Sequence, residues 1–172
     1  GGGPDRVILG ASDVSELIEY VDQGGSVYLE GSATWAEDPQ TLLHPRFDVA
    51  IEAQDGGVFG NMVGVANFNG QSLVYSIFPE MYNDVDHILP VAGGTARKAW
   101  QTDASKKGVM LTNVDPVSGA RLVASSMLLG LTEQVGTSPQ QVVASIVDFL
   151  LNGYGPCTSH EQCASGEPCE IA

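Results

Sequence analysis

The chain has 172 residues, 43% of them hydrophobic, with 21 acidic against 7 basic residues and a formal net charge of −14. That is enough apolar chain for one full hydrophobic core and a short appendage. The basic residues never gather into more than a pair, so the surface repels phosphate; no nucleic-acid partner is expected, and an anionic membrane surface is disfavoured for the same reason. No apolar run reaches the roughly 18 residues of a membrane span, so no membrane insertion is expected.

The opening Gly1-Gly2-Gly3-Pro4 reads as a linker, and Arg6 to Leu9 is a candidate first strand. Val14, Leu17, Ile18 and Val21 then fall at i, i+3, i+4 and i+7, the spacing of a helix with one buried face. Asp13 is its expected cap, Glu16 completes a capping box, and Gly24-Gly25 ends it. Ser26 to Glu30 reads as a short strand stopped by Gly31. Residues 31–57 are rich in turns, with Leu42-Leu43 as an anchor to the core. From Gly57 to Asn69 only short or bulged strands are expected, and Leu73 to Phe78 forms a better one.

Asn83, Asp84, Asp86 and Pro90 break the chain again. Gly108–Asn113 and Ala120–Met127 read as two strands joined by the Asp115-Pro116-Val117-Ser118-Gly119 turn, an antiparallel edge hairpin on an otherwise parallel sheet. The last helix has Ser138 as cap, Pro139 at the first position and Gln141 at the third. Val142, Ile146, Phe149 and Leu150 form its buried stripe, and Gly153 or Gly155 stops it. Beyond it, Cys157, Cys163 and Cys169 stand among polar residues, which suits a truncated, disulfide-stapled extracellular module. The even spacing does not suit zinc, although His160 could supply a fourth ligand. The expected organisation is therefore a domain over 1–154 and a cysteine-rich tail over 155–172.

The run Asp13-Val14…Leu17-Ile18-Glu19-Tyr20-Val21…Gly24-Gly25-Ser26-Val27-Tyr28-Leu29-Glu30-Gly31 resembles a helix and core strand of class I glutamine-amidotransferase-like domains. Gly119-Ala120-Arg121-Leu122-Val123-Ala124-Ser125-Ser126 looks like their late strand, and Gly130-Leu131 with the final helix resembles how such chains close. The tail resembles short repeats at the end of secreted proteins from predatory soil bacteria. The resemblance implies an α/β fold, a flavodoxin-like three-layer sandwich with a mostly parallel sheet. It also implies a secreted or cell-surface location. The family's nucleophilic cysteine is missing, because no cysteine precedes Cys157, and the later histidine–glutamate pairing is missing too. The resemblance therefore points to a non-catalytic member.

Glu30 stands at the carboxyl end of a core strand, where open α/β sheets place ligands. Ser32, Thr34, Trp35, Asp38, His44 and Asp48 follow on the loop, so Glu30, Asp38 and His44 are candidate acid–base groups. A structural loop pinned by Trp35, with Glu30 satisfied by backbone amides, explains the same residues. Ser32, His44 and Asp48 have the types of a catalytic triad, and Ser125 and Ser126 lie at a strand end, but no Gly-x-Ser-x-Gly elbow occurs. Asp84 and Asp86, with Asp55, Asp103 and Asp115 elsewhere, are calcium candidates without EF-hand spacing. No other cofactor is expected. Gly93-Gly94-Thr95-Ala96-Arg97 could cradle an anion through backbone amides, aided by Lys98.

The expected function is that of a non-catalytic accessory or interaction domain in a larger secreted protein. Contacts would run through residues 31–57 and 80–105, to other domains of the same protein, an extracellular protein or a glycan. The alternative is an extracellular hydrolase of peptides or saccharides using Glu30 with His44 or nearby carboxylates.

Overall fold

The first helix, α1 (Ala11–Asp22), forms where the apolar spacing places it, and a computed structural model describes it together with the rest of residues 9–53, 60–75, 85–133 and 136–154. Its cap lies earlier than expected. Gly10 is the capping residue, and Asp13 in the first turn accepts a hydrogen bond from the Gly10 N–H at 3.2 Å. At the other end Gly24 has φ +86°, a left-handed conformation that closes the helix and turns the chain into strand β1 (Val27–Glu30). The cysteine tail with His160, the calcium candidates Asp55 and Asp84, Arg6 to Ile8, and the 76–78 part of the expected strand lie outside the described residues.

Eight further strands follow: β2 (Val49–Ala53), β3 (Asn61–Gly64), β4 (Ser72–Tyr75), β5 (His87–Pro90), β6 (Arg97–Thr102), β7 (Gly108–Val114), β8 (Arg121–Ser125) and β9 (Thr132–Glu133). The last described element is helix α2 (Pro139–Asn152). The main sheet has the order β1-β8-β7-β6-β3-β4-β9 and curls into a half-barrel, while β2 and β5 pair as a separate two-stranded sheet.

This arrangement corrects the expected flavodoxin-like α/β sandwich. In the main sheet β1 runs parallel to β8, and the β8–β7, β7–β6, β6–β3, β3–β4 and β4–β9 pairings are antiparallel. The β7–β8 hairpin forms about the expected turn, but it sits inside the sheet between β1 and β6 rather than at an edge. The physical reason is two-sided burial. Strands covered on both faces read as continuous apolar runs whether their neighbours are parallel or antiparallel, and β7 is buried from Gly108 to Asn113. Strand β2 also lies where turns had been expected.

Each face of the sheet has its own core. On one, Val142, Ile146 and Phe149 of α2 pack on Met62, Phe68, Trp100, Met110 and Val123. On the other, Val14 and Val21 of α1 join Trp35, Leu43, Phe47 and Ile88 over Leu111, Leu122 and Ala124. The α2 terminus follows its sequence signals. Ser138 Oγ accepts from the Gln141 N–H at 3.2 Å, and Gln141 Oε1 accepts from the Ser138 N–H at 2.8 Å.

Candidate functional site

Glu30, Asp38 and His44 meet at one place. With Leu9, Leu29, Thr34 and Pro39 they line a cleft of about 180 Å³ at the carboxyl end of β1. Its volume lies below the roughly 300–1,000 Å³ of sites that enclose a drug-sized ligand. The side chains nevertheless belong to two environments. Successive strand residues face opposite sides of a sheet, so Leu29 joins the α1 core while Tyr28 packs on the α2 core. Glu30 follows Tyr28 to the α2 side. Its Oε2 accepts from the Tyr28 hydroxyl at 2.5 Å and from the Leu129 N–H at 3.2 Å. Burial, then the Glu30 hydrogen bond and charge, push the Tyr28 hydroxyl far up from its ordinary range, and burial raises Tyr75, with the Glu30 charge adding to it.

His44 belongs to the α1 side. It opens a 3₁₀ turn (His44–Phe47), is only 5% exposed, and lies edge-on to Trp35 at 5.8 Å between ring centroids. Its Nδ1 accepts from the Thr41 N–H at 3.0 Å, with the Thr41 hydroxyl at 2.9 Å. That bond assigns the proton of the neutral ring to Nε2, which has no hydrogen-bond partner among the described residues. Burial lowers the His44 pKa below its ordinary value, against the opposing Asp38 charge. Trp35 and Leu43 fill the core beneath, with the Trp35 indole N–H on the Ser125 carbonyl at 3.1 Å.

The triad of residue types is not assembled. His44 Nδ1 faces Thr41, and the Asp48 carboxylate accepts from the Thr95 and Ala96 N–H groups at 2.5 and 3.1 Å. Ser125 Oγ donates to the Met127 carbonyl and Ser126 Oγ to the Val109 carbonyl, both fully buried.

The glycine-rich segment does cradle an anion, and that anion is Asp48 itself. A Cβ on Gly94 would meet the Asp48 carboxylate at 1.9–2.4 Å, so the close approach requires glycine. This contact lies in a larger concavity of about 510 Å³ lined also by Arg46, Asn113 and Asp115. There Arg46 bridges Asp22 and Asp115, and the Asn113 amide donates to the Arg46 carbonyl at 2.8 Å. Sequence reasoning missed this network, because nothing local marks Arg46 as the partner of a residue 69 positions away.

The described calcium candidates, Asp86, Asp103 and Asp115, have separate partners. Asp86 is buried and accepts from the Ala36 N–H at 3.0 Å, Asp103 pairs with Lys106, and Asp115 pairs with Arg46. Among the described residues no group of three or more His, Cys, Asp or Glu side chains is arranged to hold a metal ion. His87, which sequence reasoning passed over, lines a third cleft of about 180 Å³ with Asn61, Thr102, Asp103 and Ser105. It is 4% exposed, and burial, then the Lys107 charge, lower its pKa while Glu52 raises it.

No protein-family model matches the sequence, and no curated protein matches it. Among solved structures the chain is similar to the exo-beta-1,4-mannosidase Op5Man5 from Opitutaceae bacterium strain TAV5, at 12% identity and a TM-score of 0.49. The match takes in 86% of this chain but only 22% of that protein, a likeness too slight to carry an argument about function.

Proposed function

We propose that the chain is a non-catalytic accessory or interaction domain of a larger exported protein. The observation that supports this reading is the division of the cleft. Glu30 is hydrogen-bonded to Tyr28 and Leu129 on the α2 side, while His44 is bonded to Thr41 on the α1 side. A general acid–base pair needs both groups within hydrogen-bond reach of one reacting atom. Here each group serves the fold instead. The described part of the segments expected to make contacts presents Leu42, Ile51 and Val91 to solvent, and the net charge of −14 favours neutral or basic partners.

A hydrolase remains the second reading, because Glu30, Asp38 and His44 do line one cleft. One experiment separates the two. The chain and its Glu30→Gln and Asp38→Asn variants are incubated with a panel of chromogenic glycosides and fluorogenic peptides. The accessory reading expects no turnover above buffer from any of them. Turnover by the parent that disappears in either variant would overturn it.

A further inference from the structure

Both described histidines lie in one layer. His44 opens the 3₁₀ turn that leads into β2, and His87 opens β5, its antiparallel partner. That layer, built from residues 32–53 and 86–96, covers the α1 face of the main sheet, with β5 packed across β7. It shares no strand ladder with the main sheet. Its attachments are side-chain packing and a few polar contacts, among them Trp35 to the Ser125 carbonyl, Asn113 to the Arg46 carbonyl, and the Arg46–Asp115 ion pair. The α2 core has no buried histidine among its described residues.

We propose that this layer is an acid-labile lid: charging His44 and His87 in their buried sites frees residues 32–53 and 86–96 from β7 and β8, while the α2 core stays packed.

The groups facing each ring decide the sign. His44 is faced by Asp38 and Thr41 from its own segment, with Glu30 at the end of β1 on the rim of the same cleft. Burial outweighs the Asp38 attraction. His87 is faced by Glu52 on β2, by Lys107 beyond β6, and by Asp103 and Ser105 across its cleft. Burial and the Lys107 repulsion outweigh Glu52. A histidine held below its ordinary value of about 6.5 in the closed state takes up a proton on opening. Closure is therefore complete above about pH 6.5 and weakens as the pH falls toward the closed-state value. Each histidine that charges on opening multiplies the opening constant by up to about tenfold per pH unit. This inference does not depend on whether the chain is an accessory domain or a hydrolase.

The test is amide hydrogen exchange of the intact chain, resolved by residue, between neutral and mildly acidic pH. Corrected for intrinsic exchange, amides in β2, β5 and the 3₁₀ turn should lose protection as the pH falls, while those of α2 and β3 keep it. The double variant His44→Asn, His87→Gln should abolish that pH dependence, because asparagine retains an acceptor for the Thr41 N–H and neither residue titrates. Equal loss of protection on both faces, or an unchanged pH profile in the double variant, would overturn the proposal. If the double variant does not fold, titration of the histidine ring protons in the parent decides. Midpoints below 6.5 support the lid, and midpoints at or above 6.5 refute it.

Discussion

The two faces of the sheet are closed in different ways. On the α2 face one amphipathic helix, which satisfies its own backbone, supplies Val142, Ile146 and Phe149 to an apolar core that Phe68 from a 3₁₀ turn, Val85 and Met127 complete. On the other face α1 covers only part of the sheet, and loops and short turns cover the rest. Loops leave backbone N–H groups without ladder partners. Side chains accept from several of them: Asp86 from Ala36, His44 from Thr41, Asp48 from Thr95 and Ala96, and Asp115 from Val117. A face closed by loops thus becomes a face with buried titratable groups, and its stability depends on pH.

The largest expected effect is on the helical face. Phe149→Ala removes a ring buried among Trp100, Ile146 and Tyr154 and should destabilise the chain by about 3–5 kcal/mol, read from the denaturant midpoint. That loss should be the same at neutral and acid pH, since no titratable partner is removed. A loss that grew on acidification would break the contrast between the faces.

Arg46→Ala tests the loop face. Asp115 is 5% exposed, and the substitution leaves its carboxylate without its guanidinium partner, for an expected loss of about 2–3 kcal/mol at neutral pH. The Asp22 half of the bridge is exposed and adds under about 1 kcal/mol. Burial pushes the Asp115 carboxyl up, but hydrogen bonds from Arg46, Ser118 and Val117 bring it below its ordinary value overall. A carboxyl depressed in the folded state contributes stability above its unfolded value of about 3.9, lost as the pH falls through the folded value. The Arg46→Ala penalty should therefore shrink in strong acid. It should also shrink in the Arg46→Ala, Asp115→Asn double variant, and a penalty unchanged there would show that the ion pair is not its source.

The smallest effect concerns the entry to α2. Ser138→Ala removes the acceptor for the Gln141 N–H and should lower stability by about 1 kcal/mol. Exchange protection should fall in the first turn of α2 before it falls anywhere on the loop face. Loss appearing first in β2 or β5 would mean that the two faces are coupled more tightly than their separate cores suggest.

Much of the local structure was legible. Ser138, Pro139 and Gln141 announce α2 within four residues, and the apolar spacing from Val14 to Val21 announces α1, because helix signals are short-range. The turn at Asp115–Gly119 was equally plain. The site was legible in part: Glu30, Asp38 and His44 do share a cleft, since a strand end and the loop after it stay close in space. That Glu30 turns to Tyr28 and Leu129 could not be read, because the Leu129 contact spans 99 residues.

What the sequence determined by itself was the existence of both helices, the β7–β8 turn and the strand segments β1, β7 and β8. Only the tertiary structure decided the direction in which those strands run. A strand covered on both faces has the same apolar composition in parallel and antiparallel company, so pairing is settled by partners distant in sequence. The same holds for the polar groups. Aspartates and histidines scattered through the loops look like solvated turn residues until the fold brings them against the backbone amides they accept from.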